Sequence, residues 1–311
     1  MRLRRLLAGA VGGLALTEAA NRALRTRAGP LESPLDGDQG TYRWRGFDVA
    51  YTEAGDPEDP DLVCLHGVHA AASPKEFDGI FGALAEDFHV LAPELPGFGR
   101  SDRPPVAYTS SLYESFVADF LSDAADDPVI LGSSLTGAWA TMAANDADAR
   151  GLLLVCPTAE TGPRRPWVRS LVRSPVVGQG LFNGLTSKPS LRYYDEREAF
   201  YRPEHITSDV VDYQWQTAHQ AGARFAPASF VGGFLDPAVD LADELAAVDC
   251  PVTLFWGREA TVTPLAEGRE LADEADTRLV VLDDTKLLPH EEEPGTFVDV
   301  IRSELPQLEG Q

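Results

Sequence analysis

The stretch VILGSSLTGA, residues 129–138, decides the fold of this chain. An apolar run ends in two serines, with Gly132 before them and Gly137 shortly after, and an alanine-rich run follows. Small residues on both sides of a serine are typical of a strand that turns sharply into a helix and presents the hydroxyl at the sheet edge. We therefore predict that Ser134 is a nucleophile. Such turns usually have the pattern Gly-x-Ser-x-Gly. Thr136 occupies the place of the second glycine, which is a mild departure from that pattern.

Short apolar runs and helix-like stretches alternate on both sides of this turn. The runs at 62–65 and 151–156 are almost continuously apolar, as in parallel strands covered on both faces. The first two predicted strands follow each other directly, which predicts an antiparallel edge on a mostly parallel sheet. The predicted strands are 41–46, 48–54, 61–66, 88–93, 128–133, 151–156, 251–256 and 278–283. The predicted helices between them are 75–86, 112–123, 136–147, 264–274 and 295–304.

The alternation stops between Cys156 and Pro251, where the sequence is rich in aromatic residues and proline. We predict a helical insertion there, with helices over 169–182 and 206–219 and an aromatic inner surface. The aromatic residues are Trp167, Phe182, Tyr193, Tyr194, Tyr201, Tyr213, Trp215, Phe225 and Phe230. The predicted division is a leader over 1–37, a core over 38–158 and 249–311, and a helical cap over 159–248.

Two further motifs follow the third and fourth predicted strands. LHGV, residues 65–68, directly follows the third strand, and the backbone N–H groups of Val68 and Leu135 would form a two-donor oxyanion hole there. APELPGFGRSDRP, residues 92–104, is a glycine-rich turn after the fourth strand. His66 is interpreted as a structural residue that holds the loop after the third strand by hydrogen bonds. The predicted binding residues of this loop are His66, Gly67 and His69.

With these three motifs in this order, the sequence resembles the α/β-hydrolase family from about Tyr42 to the C-terminus. The resemblance implies an α/β-hydrolase fold, with an eight-stranded sheet, helices on both faces and a helical cap over Ser134. It also implies a carboxylate after the seventh strand and a histidine after the eighth, which would complete a Ser–acid–His triad. Ala260 stands at the place of the acid and Leu287 at the place of the histidine.

Substitutes for the two absent partners stand nearby in the sequence. A serine hydroxyl is a weak nucleophile until an adjacent base takes its proton. His290 is a candidate base if its loop is remodelled, and His69 is an alternative partner in the oxyanion loop. Glu259 is a candidate acid beside the vacant place, and Glu160 is an alternative after the sixth strand.

Two functions therefore stay open. The first is hydrolysis of a small hydrophobic ester or related acyl substrate through Ser134, with a degenerate or remodelled triad. The second is a non-catalytic relative, a pseudoenzyme, that binds a hydrophobic ligand in the capped pocket or a protein partner. Relatives that act as dehalogenases or epoxide hydrolases carry aspartate at the nucleophile, which disfavours those activities. No nucleotide, metal or flavin motif occurs, so no cofactor is predicted.

The charge balance excludes one class of partner. The chain has 26 basic and 49 acidic residues, a net charge of −23. This argues against nucleic-acid binding, which needs a basic patch. An acidic surface with few lysines is typical of proteins that stay soluble in concentrated salt, where self-repulsion is screened. The sequence leaves the oligomeric state open.

The N-terminal segment has the opposite charge. Residues 1–30 contain six arginines and one acid, Glu18. The apolar run 6–16 is shorter than the roughly 20 residues of a spanning helix. Three interpretations stay open: a twin-arginine-like export leader, a basic helix that contacts an anionic membrane through residues 1–27, or a poorly ordered segment. The predicted location is accordingly cytoplasmic or membrane-associated, with export as the alternative.

Overall fold

A single eight-stranded sheet forms the centre of the fold. The computed structural model describes residues 2–308, and the side-chain environments of residues 13–304. The strands are β1 (Asp38–Trp44), β2 (Phe47–Ala54), β3 (Asp61–Leu65), β4 (His89–Pro93), β5 (Val129–Ser133), β6 (Gly151–Val155), β7 (Val252–Gly257) and β8 (Arg278–Leu282). Their order is β1-β2-β4-β3-β5-β6-β7-β8. β2 is antiparallel to β1 and β4, and the other pairs are parallel. The predicted fold class, with its antiparallel edge, is confirmed.

Helices precede the sheet, cover it and form the insertion. They are α1 (Arg2–Ala28), α2 (Asp78–Leu84), α3 (Ser110–Ala124), α4 (Leu135–Ala143), α5 (Pro166–Arg173), α6 (Val177–Leu185), α7 (Lys188–Tyr194), α8 (Ser208–Ala218), α9 (Phe225–Val231), α10 (Leu241–Ala246), α11 (Leu265–Glu274), α12 (Pro289–Glu292) and α13 (Pro294–Leu308). The helices from α5 to α10 lie between β6 and β7, as the predicted insertion requires. The finer division at 37/38, 158/159 and 248/249 stays a prediction.

Both faces of the sheet are buried, as the apolar runs predict. Ile130 of β5 packs in one apolar layer with Phe116 of α3 and Trp139 of α4. Its neighbour Leu131 packs in the other layer with residues of α2 and with Phe297 of α13. Alternate side chains of a strand point to opposite faces, so a strand covered on both sides must be apolar throughout. The site is therefore held on a rigid, fully covered strand.

The insertion differs from its prediction in two respects. The helix predicted over 169–182 is broken into α5 and α6, because Pro175 disfavours helical backbone in the preceding residue. Ser174 is extended there with ψ 141°, and Val176 has a φ of 54°. The aromatic inner surface is only partly present. Phe182 and Trp215 are buried, whereas Trp167, Tyr193 and Tyr201 are exposed.

The N-terminal helix α1 docks on the insertion. Asn21, which is 2% exposed, donates a hydrogen bond from Nδ2 to the carbonyl of Val176 at 3.1 Å. Asn183 Nδ2 of α6 donates in turn to Asn21 Oδ1 at 2.9 Å. Arg27 lies over the ring of Trp215, 5.7 Å from its centre. Within the described residues, no helix is both long and apolar enough to cross a membrane.

Candidate active site

Ser134 lies at the sharp turn between β5 and α4. Its backbone has φ 55° and ψ −128°, a conformation that few residues other than glycine adopt. Its N–H donates to the carbonyl of Val155 at 2.8 Å, and its carbonyl accepts from the N–H of Gly137 at 3.0 Å. These bonds hold the strained turn in place. The arrangement keeps the Ser134 side chain half-buried at the end of the strand.

Two glycines let the helix approach the strand. A methyl group on Gly132 would lie 3.0 Å from the Cα of Gly137, and one on Gly137 would lie 3.0 Å from Cβ of Pro157. The close approach therefore needs glycine at 137 rather than at 136. Thr136 has a different contact: its hydroxyl donates to the carbonyl of His66 at 2.7 Å, fully buried. The departure from the sequence pattern thus ties the turn to the loop after β3.

We expect replacement of Thr136 by valine to destabilise the protein by about 1–3 kcal/mol, because the buried carbonyl of His66 loses its donor while the volume is kept. Chemical denaturation measures the change. The control is Thr136→Ser, which keeps the hydroxyl and should retain most of the stability. A Thr136→Ser variant that lost more stability than Thr136→Val would show that the methyl group, not the hydrogen bond, matters.

His66 joins two loops at the base of the site. Its Nε2 accepts a hydrogen bond from the N–H of Leu95 at 3.0 Å, so the ring proton is on Nδ1, which donates to the carbonyl of Gly67 at 2.8 Å. Burial lowers the pKa of His66 to about 3, so the ring is neutral at pH 7. These two hydrogen bonds tie the loop after β3 to the turn after β4.

Two backbone N–H groups are available beside Ser134. Leu135 is the first residue of α4, where helix N–H groups lack an intrahelical acceptor. In the described part of the chain, the N–H of Val68 donates no hydrogen bond. The loop is close to the nucleophile, because a methyl on Gly67 would be 3.6 Å from Cβ of Ser134. The two donors can therefore receive developing negative charge on a carbonyl oxygen.

A cavity of about 160 Å³ opens at this point. Ser134 lies in its wall with the oxyanion loop residues Gly67, Val68 and His69. Tyr194 of α7 and Phe230 of α9 line it from the insertion, so the insertion closes over the serine. The structure thus brings together the predicted nucleophile, the Val68 side of the oxyanion hole, the alternative acid Glu160 and part of the cap.

Leu287 and Ala260 stand at the places where the resemblance implies the histidine and the acid, and only one of them lines the cavity of Ser134. Leu287 lines the cavity with Ser134, and its N–H donates to the carbonyl of Ala199 in the insertion at 3.2 Å. Ala260 is buried but does not line the cavity, and the neighbouring Glu259 is exposed. The structure therefore brings neither Ala260 nor Glu259 together with the serine.

His290 also lies outside this cavity. It is fully buried, with its ring centre 5.5 Å from that of Phe77 and 5.6 Å from that of Phe297. Neither ring nitrogen has a hydrogen-bond partner among the described residues. Its Nε2 is 3.8 Å from Oε1 of Glu76, and burial lowers its pKa to about 3. His290 is therefore a neighbour of the Glu76 carboxyl and, among the described residues, makes no hydrogen bond to Ser134.

Glu76 is the residue that sequence reasoning missed. Both of its carboxyl oxygens accept from the N–H of Gly67, at 3.2 Å each, and its side chain lines the cavity of Ser134. A methyl on Gly67 would be 3.6 Å from Oε2 of Glu76 and 3.2 Å from Oγ of Ser133. Burial raises the pKa of Glu76 to about 7, although hydrogen bonds from Ser133 and Gly67 oppose the shift. In the sequence Glu76 is one of the acidic residues within the predicted helix 75–86, and nothing around it indicates that it lines the cavity of Ser134.

His69 faces the same cavity but in the wrong tautomer for a base. Its Nδ1 accepts from the N–H of Ala71 at 3.3 Å, which places the ring proton on Nε2. Burial lowers its pKa to about 4, so it is neutral at pH 7. In this arrangement Nε2 can donate a hydrogen bond, whereas it cannot accept a proton from Ser134.

A second cavity of about 60 Å³ adjoins the first and shares His69 and Glu76 with it. Asp195 and Glu291 also line it. Burial raises the pKa of Asp195 to about 6. Burial, and then the charges of Glu76 and Asp195, raise the pKa of Glu291 well above its usual range. Three carboxyl groups with raised pKa values therefore surround the space behind the serine.

Comparison with known proteins supports the fold and the family. The sequence model of the Alpha/beta hydrolase family matches residues 62–300. The chain is 27% identical over 254 residues to a pimeloyl-(acyl-carrier protein) methyl ester esterase of Aeromonas hydrophila, covering 78% of this chain and 94% of that protein. A serine hydrolase structure from Cycloclasticus zankles is similar with a TM-score of 0.72 and 20% identity, covering 88% of this chain and 99% of that one. At this identity the structural likeness shows the fold alone.

Some of the other matches are short. The chain is 41% identical over 59 residues to an uncharacterized hydrolase of Saccharomyces cerevisiae, covering 19% of this chain. It spans only 20% of the length of that relative. Such a match carries no information on the whole protein's activity.

Proposed function

The chain belongs to the alpha/beta hydrolase family, and from this premise we propose that it is a serine hydrolase of a small hydrophobic ester or related acyl substrate, with Ser134 as nucleophile. The observation that carries the proposal is the backbone of Ser134. A residue held at φ 55° is strained, and such strain is kept where the fold uses it to present a side chain. The free donors of Val68 and Leu135 beside it support acyl transfer through an oxyanion intermediate.

The size of the cavity supports a small acyl group. About 160 Å³ is below the usual range of pockets for larger ligands, roughly 300–1,000 Å³. Phe230, Val262 and Leu287 give it apolar walls. The Aeromonas hydrophila relative is named as a methyl ester esterase, which supports an ester bond as the target. A short acyl chain bound against these walls would place its carbonyl carbon at Ser134.

We further propose that Glu76 replaces the usual histidine as the base. A base works best when its pKa lies near the working pH, and the pKa of Glu76 is about 7. Ser133 and Ser134 both lie near Gly67, next to the Glu76 carboxyl. The Ser133 hydroxyl can relay a proton from Ser134 to that carboxyl. His290, 3.8 Å behind Glu76, is too distant for a hydrogen bond to it and acts in this proposal only as part of the apolar wall that raises the pKa.

The reaction follows from these positions. Ser134 Oγ bonds to the carbonyl carbon, and its proton passes through the Ser133 hydroxyl to Glu76. The carbonyl oxygen becomes negative between the N–H groups of Val68 and Leu135. The bond to the alcohol then breaks, and the proton on Glu76 passes to the leaving alkoxide. Water attacks the acyl group on Ser134 in the same way, which releases the acid and restores the hydroxyl.

A second candidate function is non-catalytic binding of a hydrophobic ligand. Leu287 favours it, because an apolar side chain lines the cavity where the family implies the histidine. In this alternative the strain at Ser134 is inherited and has no present use. The ligand would be a small apolar molecule that fills the cavity without being cleaved.

Hydrolysis of p-nitrophenyl esters of increasing acyl length tests the two functions. We expect turnover of short acyl chains and a sharp decline for long ones, because the cavity is small. Binding of the carboxylic acids that correspond to these esters is measured in parallel, by the change in the melting temperature of the protein. Binding without any hydrolysis would favour the non-catalytic function, and hydrolysis that rises steadily with chain length would contradict the small acyl pocket.

A further inference from the structure

The helices α5 and α6 expose apolar stripes. Trp167 and Leu171 are four residues apart on α5, and Val177, Leu181 and Leu185 repeat every four residues on α6, so each set shares one helix face. Trp167 is 68% exposed and Leu185 is 64% exposed. The two helices are consecutive and pack against each other. Five large exposed apolar side chains within one helix pair exceed the scattered apolar residues of an ordinary surface.

The charge of the same segment is opposite to that of the chain. Residues 161–194 contain six basic residues and no Asp or Glu. Residues 1–31 contain six arginines and one acid. These two segments therefore hold 12 of the 26 basic residues and 1 of the 49 acidic ones. The other residues, 14 basic and 48 acidic, carry a net charge of −34.

The fold joins the two basic segments. α1 lies against α6, where Asn21 bonds to the carbonyl of Val176 and to Asn183. A methyl on Gly180 of α6 would be 3.1 Å from Cγ2 of Thr17. Leu14, one turn before Thr17, is exposed. We call the surface made by residues 13–28 of α1 together with α5 and α6 the basic apolar face.

We propose that the basic apolar face docks on an anionic lipid bilayer. The apolar stripes would enter the headgroup boundary, and the arginines would pair with lipid phosphates. The rest of the chain is repelled by such a surface, so only this face can approach it. A two-fold contact between copies would oppose like charges across the interface. This inference goes beyond the proposed hydrolysis and does not depend on it.

Flotation of the full chain with lipid vesicles tests the proposal. We expect binding to phosphatidylcholine vesicles that contain phosphatidylglycerol, with the affinity falling as salt is added, and little binding to phosphatidylcholine alone. The Trp167 fluorescence should shift to the blue on binding, and the shift should be lost in Trp167→Ser. Absence of binding to the anionic vesicles would overturn the proposal.

Paired charge reversals give the control. Arg164→Glu with Arg165→Glu, both exposed at the start of α5, should weaken binding at least about tenfold. Arg43→Glu with Arg150→Glu makes the same change in net charge on the edge strand β1 and just before β6, outside the basic apolar face, and should leave binding about unchanged. Equal losses in both pairs would overturn the proposal. A dimer in solution that Trp167→Ser dissociates would identify a second copy as the occupant instead.

Discussion

Replacement of Ser134 by alanine lowers ester hydrolysis by at least about 10³-fold, because the reaction loses its nucleophile and keeps only the oxyanion donors and the cavity. The loss should appear in kcat, since the walls of the acyl pocket are unchanged. Steady-state hydrolysis of a short p-nitrophenyl ester measures it. This is the largest effect that we expect from any single substitution in the chain.

The matched control for this prediction is Ser122→Ala. Ser122 is exposed on α3 and does not line the cavity, so its replacement should leave the rate unchanged. Circular dichroism and thermal unfolding establish that both variants are folded. If Ser134→Ala kept more than about a tenth of the wild-type rate, the hydrolysis would not pass through this residue.

Replacement of Glu76 by glutamine should lower the rate at about pH 8 by about 10²- to 10⁴-fold, the usual contribution of a general base. The wild-type rate should rise with pH through about 7, because the carboxyl of Glu76 accepts a proton only after it has lost its own. The variant should lack this rise. Measurement of kcat/KM across the pH range reports the pKa in the free enzyme.

The same substitution should make the protein more stable at high pH. The pKa of Glu76 is about 7 in the folded state against 4.5 for the ordinary group, so the folded state binds a proton that the unfolded state has released. Stability is therefore lost as pH rises from about 4.5 to about 7, by on the order of 3 kcal/mol. Glutamine removes this penalty, and the gain in melting temperature should be larger at about pH 8 than at about pH 5.

The buried histidines change the stability with pH in the opposite direction, and they do so equally in the wild type and in Glu76→Gln. The pKa values of His66, His69 and His290 are lowered, so their contribution to stability is lost as pH falls below about 6.5. The difference in stability between the wild type and Glu76→Gln therefore isolates the contribution of Glu76.

Glu291→Gln is the control for the pH dependence of the rate. Glu291 lines only the neighbouring cavity, so its replacement should not remove the inflection of kcat/KM near pH 7. A Glu76→Gln variant that kept both its rate and the inflection would show that Glu76 is not the base.

The sequence predicts the sheet and the nucleophile turn because their signals are local. Apolar runs such as β5 mark strands covered on both faces, and the small residues around Ser134 mark the turn. Glu76 could not be found in this way. Its position depends on how the turn at residues 74–77 folds back onto Gly67, a contact that no periodicity or spacing encodes.

The sequence also could not predict which side chains of the insertion are exposed. An aromatic residue such as Trp167 predicts a buried position, and only the packing of α5 and α6 against other helices shows which face is covered. The break at Pro175 differs from these cases, because the steric effect of proline on the residue before it is local and can be predicted from the sequence. The hydrogen bond of Thr136 likewise depends on the position of the loop after β3, which is distant in the sequence.

Reaction with a serine-directed fluorophosphonate, followed by intact-mass analysis and peptide mapping, tests most directly whether Ser134 is an activated nucleophile. We expect one adduct, on Ser134, whose formation speeds up as pH rises through about 7 in the wild type and is slow at all pH values in Glu76→Gln. A folded protein that stays unlabelled for hours, or one that is labelled at another residue, would contradict the account.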